Sequence, residues 1–291
     1  MTILVTAANG HLGRLVVDAL LARGADPAEV VAGARDTSKL SDLAARGIRT
    51  VELDYDRPES IATALAGVDR VLLISGTEFG RRVAQHGNVI AAAKAAGVAQ
   101  LVYTSAPKAT TTELVLAPEH RGTEEAIAAS GVPAVILRNN WYTENYAADV
   151  AHAAASGVIA AAAGSGRVAS ASRVDFAEAA AVVLLEDGHV GSVYELGGDV
   201  AWSFAELAAA ASEVLGRDVT YVSQTIAERV ASLVGVGLDE GTAGFVAGID
   251  EGIARGVLAE TDGTLSRLIG RPTTPLVDGL RAAAGEVAAA A

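Results

Sequence analysis

The first half of the chain alternates short apolar runs with longer segments in which apolar positions recur every three or four residues. Six of the short runs are almost entirely apolar and do not alternate with polar positions. Runs of this kind are typical of parallel strands that helices cover on both faces. We therefore predict strands over residues 2–6, 29–34, 49–53, 70–75, 100–105 and 134–138.

The longer segments between these runs have helical periodicity and end at glycine. They cover residues 12–21, 61–65, 83–96 and 123–129, and they are followed by Gly24, Gly67, Gly97 and Gly131. Glycine is common just past a helix end because it adopts the left-handed backbone conformation without steric cost. This alternation predicts an α/β fold of the Rossmann type, with a doubly wound parallel sheet and right-handed crossovers.

The regular alternation ends after Trp141. Beyond it we predict strands at residues 193–196 and 219–222, a helix at 204–215 and further helical segments at 226–234 and 276–284. These segments predict a smaller C-terminal α+β lobe at the carboxyl edge of the sheet, where open α/β sheets bind ligands. The predicted boundaries are residues 1–150 for the core and residues 151–291 for the lobe, which interleaves with the core.

Composition and charge limit the partners and the location. The 291 residues suffice for one or two domains. Lys and Arg number 22 against 35 Asp and Glu, and the net charge of −13 disfavours nucleic acid and anionic membrane surfaces as partners. Cysteine is absent, which excludes disulfides and thiolate metal sites. No apolar stretch approaches the roughly 20 residues of a membrane-spanning helix, so we expect a soluble cytoplasmic protein. The histidines are scattered and predict no metal site, and self-association into a homo-oligomer is left open.

The segment VTAANGHLG at residues 5–13 lies between the first predicted strand and the first predicted helix. A nucleotide pyrophosphate binds backbone N–H groups at a helix N-terminus, and glycines allow its close approach. The alternative is an ordinary glycine-containing turn. We predict that this loop binds a dinucleotide through Thr6, Ala8, Asn9, Gly10, His11, Leu12 and Gly13. The loop resembles the TGxxGxxG loop of short-chain dehydrogenases, with Ala7 in place of the first glycine.

The end of the second strand predicts which dinucleotide binds. An arginine at this place pairs with the 2′-phosphate of NADPH, whereas a carboxylate accepts from the ribose hydroxyl of NADH. Arg35 is well placed, and Lys39 adds a second positive charge, so we favour NADPH. Asp36 keeps NADH as the alternative coenzyme, and an exposed loop arginine without a ligand is the other interpretation. Further predicted cofactor contacts are Asp54, Ser75, Gly76, Thr104, Asn139 and Asn140.

Further segments along nearly the whole chain resemble the NmrA-like branch of atypical short-chain dehydrogenases, most closely the bacterial NAD(P)H:quinone oxidoreductase 2 type. They include LLIS at 72–75, QHGNVI at 85–90, AAKAAGV at 92–98, YTS at 103–105, LRNNWY at 137–142, ENY at 144–146, ASA at 169–171, VYEL at 193–196 and LIGRPTT at 268–274. The resemblance implies a Rossmann core with a small substrate lobe, NADPH as hydride donor and quinones as acceptors.

The catalytic Tyr-x-x-x-Lys pair of ordinary short-chain dehydrogenases is missing. The alignment with that family puts Leu116 in the Tyr position and His120 in the Lys position, while Ser105 matches the usual Ser. Reduction of a ketone yields an alkoxide that needs a general acid, whereas a quinone yields a much weaker base. His120, which titrates near neutral pH, or solvent would then complete the reaction. We predict His120, Tyr142 and Ser105 as catalytic candidates.

Four residues are candidates for binding the substrate. Trp141 and Tyr142 follow the sixth strand, where aromatic rings stack on a quinone, although a packed hinge is the alternative. Phe79 belongs to a candidate lid at residues 77–79, and His86 is either a pocket residue or a core residue.

The sequence thus predicts an NADPH-dependent reductase that passes hydride directly to a quinone or a similar conjugated electrophile, without metal or flavin. A second hypothesis keeps the cofactor but makes a ketone, imine or benzylic ether the acceptor, with Tyr142 or His120 as acid. A third hypothesis is a regulatory protein that binds NAD(P) without turning it over, since the catalytic Tyr is missing.

Overall fold

A computed structural model of the chain describes residues 1–290, with side chains as far as residue 285. The described chain forms two compact units. Unit 1 comprises Met1–Thr110, Leu116–Asn139 and Arg173–Leu196. Unit 2 comprises Thr111–Val115, Asn140–Ser172 and the chain from Gly197 onward.

Strands and helices alternate in the first half of the chain and follow each other less regularly in the second. The strands are β1 (Ile3–Val5), β2 (Val30–Ala34), β3 (Arg49–Glu52), β4 (Arg70–Leu73), β5 (Gln100–Ser105), β6 (Ala134–Asn139), β7 (Val158–Ala161), β8 (Arg167–Val168), β9 (Val193–Leu196), β10 (Trp202–Ser203) and β11 (Thr220–Ser223). The α-helices are α1 (His11–Ala22), α2 (Ser41–Ala45), α3 (Pro58–Ala64), α4 (Arg82–Ala96), α5 (Ala117–Ser130), α6 (Ala147–Ser156), α7 (Arg173–Leu185), α8 (Phe204–Leu215), α9 (Ile226–Gly235), α10 (Glu240–Ala254), α11 (Thr264–Ile269) and α12 (Leu276–Ala290). Short 3₁₀ turns lie at Pro27–Glu29, Thr37–Leu40 and Thr143–Tyr146.

Unit 1 is built on a parallel sheet. Within the described residues it has seven strands in the order β3-β2-β1-β4-β5-β6-β9. Every neighbouring pair is parallel, with Ile3 opposite both Val30 and Arg70 in the register of the central strands. The strand order reverses between β1 and β4, which is where such sheets bind dinucleotides. The predicted doubly wound fold is confirmed.

Helices cover this sheet, as the apolar strands require. The strand β2 is buried along its whole length, and β1 and β5 are buried likewise. A core of side chains from the strands, α3, α4 and α5 includes Tyr103, Ile61 and Leu101. The helices α4 and α5 end at Gly97 and Gly131, both in the left-handed conformation, as the sequence predicts.

The second half of the chain departs from the predicted division. The strand β9 was expected in the lobe but pairs in parallel with β6, with Val193 opposite Ile136. The helix α7, which periodicity did not indicate, also belongs to unit 1 and packs against α1. The predicted boundary lies at residue 150. In the structure the chain enters unit 2 at Asn140, and the segment Arg173–Leu196 belongs to unit 1 again. The helix α7 buries its apolar residues in unit 1, and β9 adds an edge strand to the parallel sheet of that unit.

Unit 2 has mixed α and β structure, as predicted. The strands β10 and β8 form an antiparallel pair, and β11 and β7 form a parallel pair. The helix α8 spans the predicted residues and begins with a capping box between Ser203 and Glu206. Tyr146, Trp202 and Phe204 pack edge to face in its core. Among the described helices of the two units, none combines the length and apolarity that crossing a membrane requires.

Candidate functional site

The turn from β1 to α1 is tight because of one glycine. A Cβ on Gly13 would lie 2.4 Å from the carbonyl oxygen of Ala7 and 2.8 Å from the Cα of Ala8. A Cβ on Gly10 would meet the same oxygen at 3.2 Å. The turn itself passes through Ala7, whose φ of 48° is in the left-handed region. The position where related loops carry glycine therefore has the backbone that favours glycine, although alanine occupies it.

The N-terminus of α1 is open to a ligand. Gly10 is the N-cap residue, and no described side chain caps the helix there. The first N–H groups of a helix lack partners within the helix and carry the positive end of its dipole. Asn9 and His11 are exposed at this end, whereas Ala8 and Leu12 are buried. The turn thus presents backbone donors and little side-chain bulk, an arrangement that fits a pyrophosphate.

Thr6 anchors the turn from below. Its hydroxyl accepts from the N–H of Ile74 at 3.0 Å and pairs with the hydroxyl of Tyr55. The Tyr55 hydroxyl in turn donates to the carbonyl of Ile74 at 2.8 Å. Thr6 is fully buried, so its side chain joins the ends of β1 and β4. Of the predicted loop contacts, Thr6 therefore has its hydroxyl turned inward to the protein.

Charged side chains of both signs surround the end of β2. The Arg35 side chain is 72% exposed and its guanidinium lies 3.1 Å from Glu78. The Asp36 carboxylate accepts from both the hydroxyl and the N–H of Ser38, at 2.6 and 3.0 Å. These hydrogen bonds, led by the one from the hydroxyl, lower the pKa of Asp36. Asp36 thus caps the 3₁₀ turn Thr37–Leu40, and its carboxylate has partners in the protein.

A third cation at this place was missed by sequence reasoning. Arg14, in the first turn of α1, donates to the carbonyl of Lys39 and pairs with Asp42. The side chain of Lys39 itself is exposed. Arg14 is the residue after Gly13, and that position could have drawn attention to it. Arg14, Arg35 and Lys39 thus lie at one end of the sheet, where Asp42 pairs with Arg14 and Glu78 pairs with Arg35.

The predicted contacts after β3, β4 and β5 lie at the same edge of the sheet. Thr104 accepts from the N–H of Ser75 at 2.9 Å, which links the ends of β4 and β5. Asp54 accepts from the N–H of Asp56 at 3.0 Å and forms a turn after β3. Asp54, Ser75 and Gly76 are half-buried. A Cβ on Gly76 would meet only ordinary contacts, so space does not require glycine there.

His86 holds the loop after β4. Its Nε2 accepts from the N–H of Gly76 at 3.1 Å, which leaves the hydrogen on Nδ1. Nδ1 then donates to the hydroxyl of Thr123 at 2.9 Å, and that hydroxyl donates to the carbonyl of Glu119. Burial, with a smaller effect of the Arg82 charge, lowers the pKa of His86 to about 4. His86 is fully buried, and the lowered pKa favours its neutral form; its predicted contact with the substrate stays a prediction.

His120 is buried and has a protein partner at each ring nitrogen. Its Nε2 accepts from Arg82 at 3.3 Å, and its Nδ1 lies 2.9 Å from the Tyr103 hydroxyl. Burial, followed by the charge of Arg82, lowers the pKa of His120 to about 3. A lowered pKa favours the neutral imidazole, which is the form that accepts from Arg82. The role of His120 as a proton donor stays a prediction.

Ser105 is likewise engaged by the protein. Its hydroxyl donates to the carboxylate of Glu124 at 2.6 Å. Glu124 also receives two hydrogen bonds from Arg138, at 3.0 and 2.6 Å, and Arg138 extends to Glu195 at 2.8 Å. The hydrogen bond to Glu124, followed by that to Glu195, raises the pKa of Arg138. This network joins α5 to the ends of β5, β6 and β9, and a catalytic hydroxyl at Ser105 would have to exchange Glu124 for a substrate.

Phe79 lies in the loop between β4 and α4. Its side chain is 56% exposed, and the Arg82 guanidinium lies 4.3 Å from the centre of its ring. Within the same loop, the N–H of Gly80 donates to Glu119 at 2.7 Å. The candidate lid at residues 77–79 thus covers Arg82, a residue that sequence reasoning did not single out.

The predicted site residues at the end of β6 and just after it, residues 139–142, belong to different units. Asn139 ends β6 in unit 1, and Asn140 begins the following segment of unit 2. The Asn140 amide donates to the carbonyl of Leu258 and accepts from the N–H of Trp141. Trp141 and Tyr142 are half-buried and lie beside Ala171 in a short backbone pairing. Among the residues whose side chains are described, no group of three His, Asp or Glu could hold a metal.

The parallel sheet, its switch point and the glycine turn define a dinucleotide-binding protein of the Rossmann type. The sequence matches the NAD(P)H-binding family over residues 7–187, and the chain belongs to that family. It is 45% identical to quinone oxidoreductase 2 of Escherichia coli over 276 residues, which cover 95% of this chain and 96% of that protein.

Two solved structures extend the comparison. An NADPH-dependent quinone oxidoreductase of Escherichia coli in complex with NADPH superposes with a TM-score of 0.92 at 45% identity, covering 96% of this chain and 98% of the other. A triphenylmethane reductase of Citrobacter sp. in complex with NADP(H) has a TM-score of 0.89 at 37% identity, covering 97% and 100%. The resemblance inferred from the sequence is confirmed.

Proposed function

We infer that this protein is an oxidoreductase that uses NADPH to reduce a quinone. The observation that carries the inference is the 45% identity to the Escherichia coli quinone oxidoreductase, which extends over 96% of that protein. The likeness therefore includes unit 2 as well as the nucleotide-binding unit. The second relative with a solved cofactor complex reduces triphenylmethane dyes, as its name states, and these are also extended conjugated electrophiles.

We propose that the β1–α1 turn holds the cofactor pyrophosphate. The space kept open at Gly13 and the uncapped start of α1 fit this group. Arg35, with Arg14 and Lys39 beside it, would bind the 2′-phosphate. Asp54, Ser75, Gly76, Thr104 and Asn139, at the strand ends of unit 1, and Asn140 of unit 2 remain proposed contacts. When bound, the cofactor supplies a hydride, which carries the two electrons of the reduction.

The exposed guanidinium that follows β2 supports NADPH over NADH. An arginine at this place pairs with the 2′-phosphate, whereas a carboxylate accepts from the ribose hydroxyls of NADH. The Arg35 side chain is 72% exposed, and Asp36 accepts two hydrogen bonds from Ser38 on one of its carboxylate oxygens. NADH would bind the same turn through its pyrophosphate, but it has no 2′-phosphate for Arg35 to contact.

The chain's own acid and base groups suit a quinone better than a simple ketone. Leu116 stands in the Tyr position of ordinary short-chain dehydrogenases, and the buried neutral His120 stands in the Lys position. An alkoxide formed from a ketone would lack the Tyr that protonates it in those enzymes, whereas a hydroquinone anion takes its proton from water. Phe79 and, in unit 2, Trp141 and Tyr142 remain proposed contacts of the quinone ring, with Tyr142 as a candidate acid.

Steady-state assays of the purified protein test this function. We expect NADPH oxidation with menadione and benzoquinones, and turnover of aliphatic ketones that is lower by about 10²-fold or more. Faster turnover of ketones would contradict the proposal. Tight binding of NADPH without turnover of any quinone would instead favour a nucleotide-sensing regulator.

We propose that the enzyme works in the cytoplasm on a small-molecule substrate. A reductase that consumes NADPH depends on the cytoplasmic supply of that coenzyme, so we place it in the cytoplasm. The net charge of −13 supports a small-molecule substrate over nucleic acid. Cell fractionation and sedimentation of the purified protein test the location and the open question of a homo-oligomer.

A further inference from the structure

Arg82 is a buried cation whose ion pair with a carboxylate is long. The residue is 8% exposed, and its Nε has no hydrogen-bond partner among the described residues. The nearest carboxylate is Glu119, at 3.9 Å, and Glu119 directs its other oxygen to the N–H of Gly80. The guanidinium donates instead to a neutral imidazole, that of His120, at 3.3 Å. Burying a charge without close pairing is costly, and such groups concentrate at functional sites.

The other arginines at this edge of unit 1 are differently placed. Arg138 is matched by the carboxylates of Glu124 and Glu195. Arg81, next to Arg82 in the sequence, is exposed and pairs with Asp56 and Glu78. All three arginines lie near the carboxyl ends of the strands. Arg82 is the one that is buried without a carboxylate at hydrogen-bond distance.

Arg82 places a positive charge close to the position where ordinary short-chain dehydrogenases have a catalytic Lys. The Lys of ordinary short-chain dehydrogenases would lie at residue 120, where this chain has a neutral histidine. Arg82 begins α4 and contacts that histidine from the neighbouring helix. A positive charge is thus kept at the place of the missing Lys, but it is supplied by α4 and not by α5.

We propose that Arg82 stabilises the oxyanion of the reduced substrate, and this proposal rests on the quinone reductase function inferred above. Transfer of hydride from the dihydronicotinamide to the quinone leaves an oxidised nicotinamide and a hydroquinone monoanion. The negative charge of that monoanion is on an oxygen, which then takes a proton from water. Until that proton arrives, the guanidinium stabilises the negative oxygen by its positive charge. It does not donate the proton itself, because an arginine stays protonated. It lowers the energy of the anionic product and of the transition state that leads to it.

Phe79 controls access to this cation. Its exposed ring lies over the guanidinium at 4.3 Å, and the loop that carries it connects β4 to α4. The substrate reaches the guanidinium by displacing this ring. A flat aromatic substrate can stack on the guanidinium in place of the Phe79 ring, by the same cation–π interaction.

Binding of 4-nitrophenol to the enzyme saturated with NADP⁺ tests the charge without any turnover. Its visible absorption reports the ionised form. We expect the wild-type protein to lower the pKa of bound nitrophenol by about one unit, which is a tenfold preference for the phenolate. Arg82→Met should abolish this shift, and Arg82→Lys should keep part of it. Arg81→Met is the matched control and should leave the shift unchanged.

Kinetics provide a second readout. Arg82→Met should reduce kcat with menadione by roughly 10- to 100-fold and change KM for NADPH less than about twofold, since the interaction strengthens in the transition state. An Arg82→Met protein with wild-type kcat and an unchanged nitrophenol shift would overturn the proposal. Loss of NADPH binding in both Arg82→Met and Arg82→Lys would show a merely structural role and also overturn it. Quinone turnover by wild type and by Arg81→Met reports on the inferred function separately.

Discussion

Ala7 adopts a backbone conformation that glycine accepts more easily. Its φ of 48° is left-handed, and this conformation costs an alanine roughly 1–2 kcal/mol. Ala7→Gly should therefore raise the free energy of unfolding by about 0.5–1 kcal/mol, after the larger entropy of the unfolded glycine chain is subtracted. Urea denaturation with and without NADPH measures the effect.

The neighbouring Ala8 provides the control for this substitution. Ala8 is fully buried and lies outside the left-handed region. Ala8→Gly should lower the free energy of unfolding by about 1 kcal/mol, because it adds unfolded-state entropy and removes a buried methyl group. Equal destabilisation by both substitutions would show that Ala7 is not strained.

Arg35 tests the choice of coenzyme at a single residue. Loss of one charge-assisted contact to the 2′-phosphate should cost about 1.5–3 kcal/mol, so Arg35→Ala should raise KM for NADPH by roughly 10- to 100-fold. KM for NADH should change little, because NADH has no phosphate at this position. Arg46→Ala removes another arginine that is ion-paired on the surface, with Asp18, and serves as control. An unchanged KM for NADPH in Arg35→Ala would refute the assignment.

At the scale of elements, two neutral histidines join α4 to α5 and to the loop after β4. The folded-state pKa of His86 is about 4 and that of His120 is about 3, below the usual 6.5. The unfolded chain therefore binds more protons as pH falls below about 6.5, and the folded state loses stability down to about pH 4. For His86 the loss at pH 4 is roughly 3 kcal/mol relative to pH 7.

Glutamine at position 86 keeps the hydrogen bonds and removes the titration. We expect His86→Gln to reduce the difference in unfolding free energy between pH 7 and pH 4.5, measured by urea denaturation. An unaltered slope in His86→Gln would mean that this histidine is not the titrating group.

The helix α7 is one element that sequence patterns missed, and it has almost no helical periodicity of apolar positions. The helix α7 buries residues around most of its circumference, because α1 and the sheet cover it. Such a helix has no polar stripe from which a period could be read. The strand β9 was found, but its partner β6 lies more than fifty residues earlier in the chain, and local pattern carries no information on pairing.

At the scale of the whole molecule, the cofactor should stabilise the folded state. A ligand that binds only the native chain adds about 2.7 kcal/mol at a concentration one hundred times its Kd. We expect NADPH to raise the melting temperature by several degrees and NADH to raise it less at equal concentration. Thermal unfolding with each coenzyme measures this, and Arg35→Ala should reduce the effect of NADPH alone. The absence of any shift with both coenzymes would contradict the whole assignment.

The chain sequence by itself determined the fold class, the nucleotide turn and the family. Those features depend on local patterns, since apolar runs, glycine positions and the residues at strand ends are set by neighbours in the chain. The hydrogen-bond partners of His86, His120 and Ser105 could be seen only in the folded structure. Each is a polar residue whose role depends on partners far along the chain, such as Thr123, Arg82 and Glu124. Burial beside these partners sets the protonation and the hydrogen bonds of a side chain, and neither can be read from the residue type alone.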